Sequence, residues 1–169
     1  NGPNMEPEDC HLVDMGKKAV ASRSMRGFGK NVTAEVRLTK SLLQEVFHTT
    51  AADWMGLYRA VQEYWSTTGT HGHQCMFANG LAALFIACGQ DVAYLPEASY
   101  GYLLPSELPD GGLHVTVQIP CLVVGTVGGG SSLPTQRESL QILGCDGPGG
   151  ARKFAEIAAG VALGAGDDD

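Results

Sequence analysis

Two lysines and one aspartate have the side chains in this sequence best suited to acid–base or oxyanion chemistry. Lys17 and Lys18 follow Gly16 in a segment predicted to be a loop. Asp91 follows a long apolar run, near the predicted C-terminal end of a helix, where carbonyl groups disfavour a negative charge. If this carboxyl group is partly buried, its pKa rises, and it can act as a general acid near neutral pH. A lysine paired with it stays charged and can hold an oxyanion or enolate.

Each candidate also has a purely structural interpretation. Adjacent lysines are usually solvated, and so is an aspartate that follows a helix. Asn79 is the one polar side chain within the apolar run of residues 75–89. A buried amide must be hydrogen-bonded, so Asn79 either ties this helix to a neighbouring backbone or points into a pocket.

Metal and phosphate sites are weakly indicated. His71, His73 and His48 match no zinc-ligand spacing, so no metal site is predicted. Gly128–Gly130 precede a predicted helix and could cradle a phosphate, but no Gly-Lys-Ser/Thr sequence accompanies them. Tight packing is the favoured reason for these glycines.

Composition limits the classes of protein that fit. The 169 residues, 44% hydrophobic and 17% charged, suffice for one globular domain. A net charge of −7 with 11 Lys+Arg argues against nucleic-acid binding. The longest apolar stretch is shorter than the roughly 20 residues that span a bilayer, and no secretory signal is visible. Five cysteines without a Cys-x-x-Cys pair fit a reducing compartment, and the predicted location is cytoplasmic.

The first half of the chain predicts one strand and two helices. Residues 31–38 alternate apolar and polar side chains, which indicates a half-buried strand. Ser41 and Gln44 have the spacing of a capping box that opens one long helix. Residues 74–89 predict a helix that is apolar on nearly every side and forms the buried centre of the fold.

The second half predicts a sheet and two more helices. Residues 113–119 alternate until Pro120 ends the run, and residues 122–124 predict a separate strand. A proline-containing connection over residues 94–112 has room for one short strand. Two helices complete the pattern, one opened by a Thr135/Glu138 capping box and closed by Gly144, and one over residues 151–163.

These elements predict an α+β fold in which a small sheet packs on a long buried central helix with flanking amphipathic helices. The chain is expected to be a single domain over residues 1–169. It comprises an irregular segment (1–16), a core (17–163) and an acidic tail (164–169).

Several segments together resemble the hydroxymethylglutaryl-CoA (HMG-CoA) reductase family. Two carry most of the resemblance: Ile86-Ala87-Cys88-Gly89-Gln90-Asp91, and Val124-Gly125-Thr126-Val127-Gly128-Gly129-Gly130-Ser131. The order and spacing of Lys17-Lys18, Gly29-Lys30, Glu45–Thr50 and Leu140–Gly144 also agree with the family. The resemblance extends from about Asp14 to Leu163 and implies the fold of the family's substrate-binding large domain.

The resemblance implies a role for five residues. Lys17 falls on the family's catalytic lysine, which stabilises the oxyanion formed as the thioester is reduced with NADPH. Asp91 falls on the catalytic aspartate that hydrogen-bonds this lysine. Lys18 and Asn79 fall on substrate-contacting positions, as does Arg59, where the family has lysine.

The sequence also departs from the family pattern. The nucleotide-binding insert would precede residue 1, and the catalytic histidine would follow Asp169. Gly16 and Ala19 replace residues of the family's Asp-Lys-Lys-Pro motif, and residues 61–68 replace a glycine-rich stretch. These departures favour a retained fold with a changed function.

Three hypotheses follow. The first is a cofactor-free cyclase, isomerase or lyase that acts on an acyl, polyketide or terpenoid substrate in secondary metabolism. The alternative is an HMG-CoA-binding fragment of a genuine NADPH-dependent reductase, and the third possibility is a non-catalytic binding module. Because the family's active site lies at a subunit interface, a homodimer that binds a small molecule is expected in each case.

Overall fold

A three-stranded antiparallel sheet carries the fold. The computed structural model describes residues 29–68 and 76–165. The strands are β1 (Lys30–Leu38), β2 (Tyr102–Glu107) and β3 (Leu113–Leu122), in the order β1-β3-β2. Since β3 lies in the centre, β1 and β2 are edge strands.

The predicted strand over residues 31–38 is confirmed as β1. Val32, Ala34, Val36 and Leu38 turn towards the core, whereas the residues between them are exposed. The same alternation occurs in β3, where four apolar side chains are fully buried: Leu113, Val115, Val117 and Ile119. The alternation of apolar and polar residues therefore identified the buried face of each strand correctly.

The predicted break at Pro120 is wrong, because β3 continues through this proline. Val32 is paired with Ile119 and Lys30 with Leu122, so three steps along β3 correspond to two along β1. Pro120 lies in this bulge, one of the few places in a central strand that tolerate a missing N–H donor. Pairing with β2 ends earlier, at Gln118.

The predicted single long helix is two helices, α1 (Lys40–Glu45) and α2 (Ala51–Thr68). His48 separates them in a left-handed conformation, with φ of 51°. The Thr49 N–H donates to the Leu43 carbonyl at 3.0 Å and closes α1. Apolar spacing alone did not reveal this turn, because the stripe continues across it.

The capping side chains also differ from the prediction. Thr39, and not Ser41, caps α1 by accepting the Leu42 N–H at 3.2 Å. Thr50 and Asp53 cap α2, because Thr50 Oγ1 accepts the Asp53 N–H and donates to its carboxylate at 2.7 Å. A reciprocal cap therefore exists, but it opens the second helix.

The apolar helix α3 (Phe77–Ala87) is shorter and less buried than predicted. One stripe is buried, formed by Phe77, Leu81 and Phe85. The opposite face is open, and the Ile86 side chain is 65% exposed. The prediction of a helix buried on every side is therefore not confirmed.

Three further helices complete the described part of the fold. They are α4 (Leu95–Ala98), α5 (Pro134–Ile142) and α6 (Gly150–Ala165). No side chain caps α5, which begins with Pro134 in its first turn, and Gly144 closes it with φ of +65°. The α6 helix packs against α3, β1 and β3, and completes an α+β core.

Candidate functional site

Only some of the predicted site residues lie where their surroundings can be described. Lys17, Lys18, His71 and His73 fall outside the described residues. Asp91, Arg59 and Asn79 are described, and all three are exposed. Across residues 29–68 and 76–165, no hydrogen bond or ion pair joins these three side chains to one another.

Asp91 begins a short 3-10 turn over Val92–Tyr94 directly after α3. Its Oδ1 accepts the Ala93 N–H at 3.0 Å and so caps this turn. Burial of the carboxyl group was the condition for the general-acid hypothesis, and the exposed side chain does not meet it here. One carboxylate oxygen remains available to accept a bond from an incoming cation or donor.

Asn79 and Arg59 lie on different helices. Asn79 is exposed on α3, and its Nδ2 donates to the Met76 sulfur at 3.6 Å. It therefore neither ties α3 to a neighbouring backbone nor sits in a buried pocket. Arg59 lies on an exposed face of α2.

The two glycine-containing segments that stood out in the sequence meet in space. A Cβ atom added to Gly89 would overlap the Gly130 carbonyl oxygen and lie 2.8 Å from the Ser131 nitrogen. One added to Gly130 would lie 2.6 Å from the Gly89 oxygen. This contact confirms the predicted close packing at Gly130, and it brings Asp91 beside the loop of residues 125–131. At Gly128 and Gly129 the prediction is wrong, because an added Cβ atom would meet nothing within 4 Å, and glycine there allows φ of +75° and +55°.

Gln90 joins the same two segments by hydrogen bonds. Its Nε2 donates to the Gly125 carbonyl at 2.8 Å and to the Cys88 carbonyl at 2.9 Å. Its Oε1 accepts the Gly125 N–H at 2.8 Å. The sequence analysis assigned no role to Gln90, and its position directly after Gly89 was the only available signal.

Two hydroxyl groups hold the rest of the loop. The buried Thr126 donates from Oγ1 to the Gly147 carbonyl at 2.7 Å, and its own carbonyl accepts the Gly147 N–H at 3.3 Å. The buried Ser131 donates to the Gly128 carbonyl at 2.6 Å. These bonds satisfy polar groups that burial would otherwise leave unpaired.

An open cleft of about 570 Å³ lies between the two segments. Its walls are backbone-rich, with residues 89–91 on one side, residues 123–125 and 127–131 on the other, and Tyr94 beside them. A cleft of this size falls within the range of small-molecule sites. Its polar groups include backbone N–H groups, which are hydrogen-bond donors, and the negatively charged Asp91 carboxylate, which is a hydrogen-bond acceptor.

An ion pair stabilises the segment behind this loop. Arg137 Nε contacts Asp146 Oδ2 at 3.0 Å, and Gln141 donates to the same oxygen at 3.2 Å. The hydrogen bond from Arg137 lowers the pKa of Asp146, and the bond from Gln141 acts in the same direction. Asp146 directly precedes Gly147, the partner of Thr126.

Cys88 and Cys145 are buried in the core. Burial raises the pKa of the Cys88 thiol, and the neighbouring Cys145 raises it further. Burial also raises the pKa of Cys145. Since the thiolate is the nucleophile, both thiols are poor candidates for covalent catalysis.

The described part of the chain shows neither a metal-site cluster nor a membrane-spanning helix. No cluster of three or more His, Cys, Asp or Glu side chains with the arrangement of a metal site occurs there. None of the helices in residues 29–68 and 76–165 is long and apolar enough to cross a membrane.

The amino-acid sequence is similar to one protein family over most of its length. The model of the family described as hydroxymethylglutaryl-coenzyme A reductase matches residues 13–166. A 3-hydroxy-3-methylglutaryl-coenzyme A reductase from Pyrococcus horikoshii is 36% identical over 157 residues, covering 87% of this chain and 37% of the relative. The Methanocaldococcus jannaschii enzyme of the same name is 38% identical, covering 87% and 36%.

A more distant relative gives the same result. The reductase of that name from Schistosoma mansoni is 34% identical over 159 residues, covering 88% of this chain and 16% of the relative. The chain thus spans little more than a third of the length of the archaeal relatives, and less of the Schistosoma protein.

These relatives overturn two predictions. A cofactor-free cyclase, isomerase or lyase of secondary metabolism is wrong, because the similar proteins are reductases that match most of the chain. The expectation of no cofactor is wrong for the same reason, since a reduction consumes electrons that a donor must supply. The altered residues at positions 16, 19 and 61–68 therefore do not indicate a changed function, because the family model matches residues 13–166.

Proposed function

The chain belongs to the hydroxymethylglutaryl-coenzyme A reductase family, and from that premise we propose that it supplies the acyl-CoA-binding portion of an NADPH-dependent HMG-CoA reductase. The observation that carries this proposal is the cleft between residues 89–91 and 125–131. It joins the two segments with the strongest family resemblance and has Asp91 in its wall. A cytoplasmic location is part of the proposal and is supported by the free thiols of Cys88 and Cys145.

The five predicted site residues keep the roles that the family implies. Lys17 holds the oxyanion that develops on the thioester carbonyl, because a fixed positive charge stabilises that charge most as it forms. Asp91 accepts a hydrogen bond from Lys17 and keeps the ammonium group charged. Lys18, Arg59 and Asn79 contact the substrate. The exposure of Asp91, Arg59 and Asn79 leaves all three accessible to a ligand.

The cleft alone does not fit NADPH. Binding of its phosphate groups calls for cationic side chains or a helix N-terminus. The residues that line this cleft include no lysine or arginine, and Asp91 adds a negative charge. NADPH, which supplies the hydride when bound, therefore depends on parts of a reductase other than this cleft. The phosphate groups of coenzyme A meet the same obstacle, so we assign to the cleft only the acyl-thioester end of the substrate.

We also propose that the protein is a homodimer, as expected for a family whose active site lies at a subunit interface. Sedimentation equilibrium is expected to give twice the mass of the chain. A clean monomer at tens of micromolar would contradict the proposal.

Calorimetric titration with HMG-CoA tests the proposed function. We expect saturable binding of HMG-CoA, weaker binding of free coenzyme A, and none of NADPH. Asp91→Asn should weaken HMG-CoA binding by roughly fivefold to tenfold, the effect of about one hydrogen bond. Asparagine can still cap the turn at Ala93, so the fold is kept while the charge is lost.

A matched control is Glu107→Gln, which removes an exposed carboxylate from β2 outside the cleft. Its affinity for HMG-CoA should equal that of the unmodified chain. No binding of HMG-CoA, or equal losses in the two variants, would count against the proposal.

A further inference from the structure

The Gln90 side chain hydrogen-bonds backbone on both sides of the cleft. Its amide group donates to the carbonyls of Cys88 and Gly125 and accepts the Gly125 N–H, at 2.8–2.9 Å. Both polar atoms of the Gln90 amide group therefore form hydrogen bonds with the backbone, and both of them bond Gly125. This arrangement fixes the position of Gly125 relative to the end of α3.

The loop that follows Gly125 needs such a restraint. Gly128 and Gly129 have φ of +75° and +55°, and a Cβ atom added to either would meet nothing within 4 Å. Glycines in open space have a large conformational freedom that folding must restrict. Thr126 is hydrogen-bonded to Gly147 and Ser131 to Gly128, whereas Gln90 connects the start of the loop to the Asp91 side of the cleft.

We propose that Gln90 is a positioning residue for the acyl-CoA site: its amide holds Gly125, and so the loop of residues 125–131, at a fixed distance from Asp91. It acts through the backbone and does not itself touch substrate. The inference rests on the proposed function, because the cleft that Gln90 shapes is the one assigned there to the acyl-CoA. Loss of the amide should lower ligand affinity by letting the loop sample positions that do not bind.

Two substitutions separate the donor and acceptor roles. Gln90→Met keeps the length of the side chain and removes all three hydrogen bonds. Gln90→Glu keeps an acceptor for the Gly125 N–H, but its ionised carboxylate faces the carbonyls of Gly125 and Cys88. Once protonated, the same glutamate has an O–H donor and a carbonyl acceptor and can restore both bonds to Gly125.

The measurements are HMG-CoA affinity by calorimetry and the hydrogen-exchange protection factor of the Gly125 amide. Each is made at pH 7.5 and at about pH 5, where a glutamate beside two carbonyls becomes protonated. We expect Gln90→Met to weaken HMG-CoA binding roughly tenfold at both pH values. Gln90→Glu should match it at pH 7.5 and recover most of the loss at the lower pH.

The other titratable groups near Gln90 are Asp91, Cys88, Tyr94 and Lys30, whose Nζ donates to the neighbouring Val124 carbonyl. All are present in the unmodified chain, so the ratio of variant to unmodified affinity at each pH removes their contribution. Gln44→Glu is the control, since Gln44 is exposed on α1 outside the cleft. It should change neither HMG-CoA affinity nor Gly125 exchange.

The outcomes distinguish this inference from the proposed function. If the unmodified chain does not bind HMG-CoA, the proposed function is wrong. Hydrogen exchange at the Gly125 amide still tests whether Gln90 holds Gly125 in place. Increased exchange at Gly125 in both Gln90 variants, with recovery of the glutamate variant on acidification, supports the inference. Unchanged exchange, or a loss of affinity in Gln90→Glu that does not depend on pH, would overturn it.

Discussion

Gly89→Ala is expected to destabilise the fold by about 3–5 kcal/mol, a large part of the stability of a small domain. Gly89 has φ of +64°, a conformation that costs an L-residue energy in any surroundings. The added methyl group would also overlap the Gly130 carbonyl oxygen. Since the obstacle is backbone, relief requires the two segments to separate, and this opens the cleft.

Gly128→Ala is the matched control for this prediction. Gly128 has φ of +75°, but a methyl group there would meet nothing within 4 Å. Its ψ of −178° places it in a region that is essentially restricted to glycine, so only the conformational cost of about 1–3 kcal/mol should appear. Urea unfolding of both variants measures the difference, and equal losses of stability would show that the contact between Gly89 and Gly130 is not as close as described.

Phe85→Ala is the second change with a large expected effect. Phe85 is fully buried in the last turn of α3, within the stripe that packs into the core. Removal of a buried aromatic ring leaves a cavity and should cost about 3–5 kcal/mol in the free energy of unfolding. The neighbouring Ile86→Ala should change it by less than about 0.5 kcal/mol, because that side chain is 65% exposed.

This pair also tests how α3 sits in the fold. A helix buried on every side would lose stability on truncation at either position. Denaturant unfolding at micromolar concentration, with the oligomeric state checked at the same concentration, gives the comparison. Similar losses for Phe85→Ala and Ile86→Ala would restore the original prediction of a central helix.

Short-range periodicity predicted the strands better than the helices. The alternation in residues 31–38 identified β1 and its buried face, because a side-chain period of two leaves one face for the core. The apolar stripe of residues 43–65 instead concealed the turn at His48. Its spacing continues across the break because both helices face the same core.

Two other errors arose from information that is not local. Pro120 looked like the end of a strand, but the bulge that accommodates it depends on pairing with β1, 87 or more residues earlier. The α3 sequence is apolar on most sides. The sequence alone does not show which of these apolar faces the rest of the chain covers and which one stays exposed.

The candidate site was only partly predictable, because it too depends on contacts between residues that are far apart in sequence. Family resemblance selected the segments around Asp91 and Gly128, and the structure brings them together through the contact of Gly89 with Gly130. Gln90 was missed because its significance lies in a bond to a residue 35 positions away. Lys17 stays a prediction, since it lies outside the described residues.

The most direct test of the central claim is a map of backbone amide chemical shifts as HMG-CoA is added to the isotopically labelled chain. Binding in the proposed cleft predicts saturable changes at the amides of residues 89–91 and 125–131, with little change in β2 or at the exposed turn near Asp110. The apparent dissociation constant should match the calorimetric value. Saturable changes confined to another surface, or none at millimolar ligand, would contradict the assignment of this cleft to the acyl-CoA.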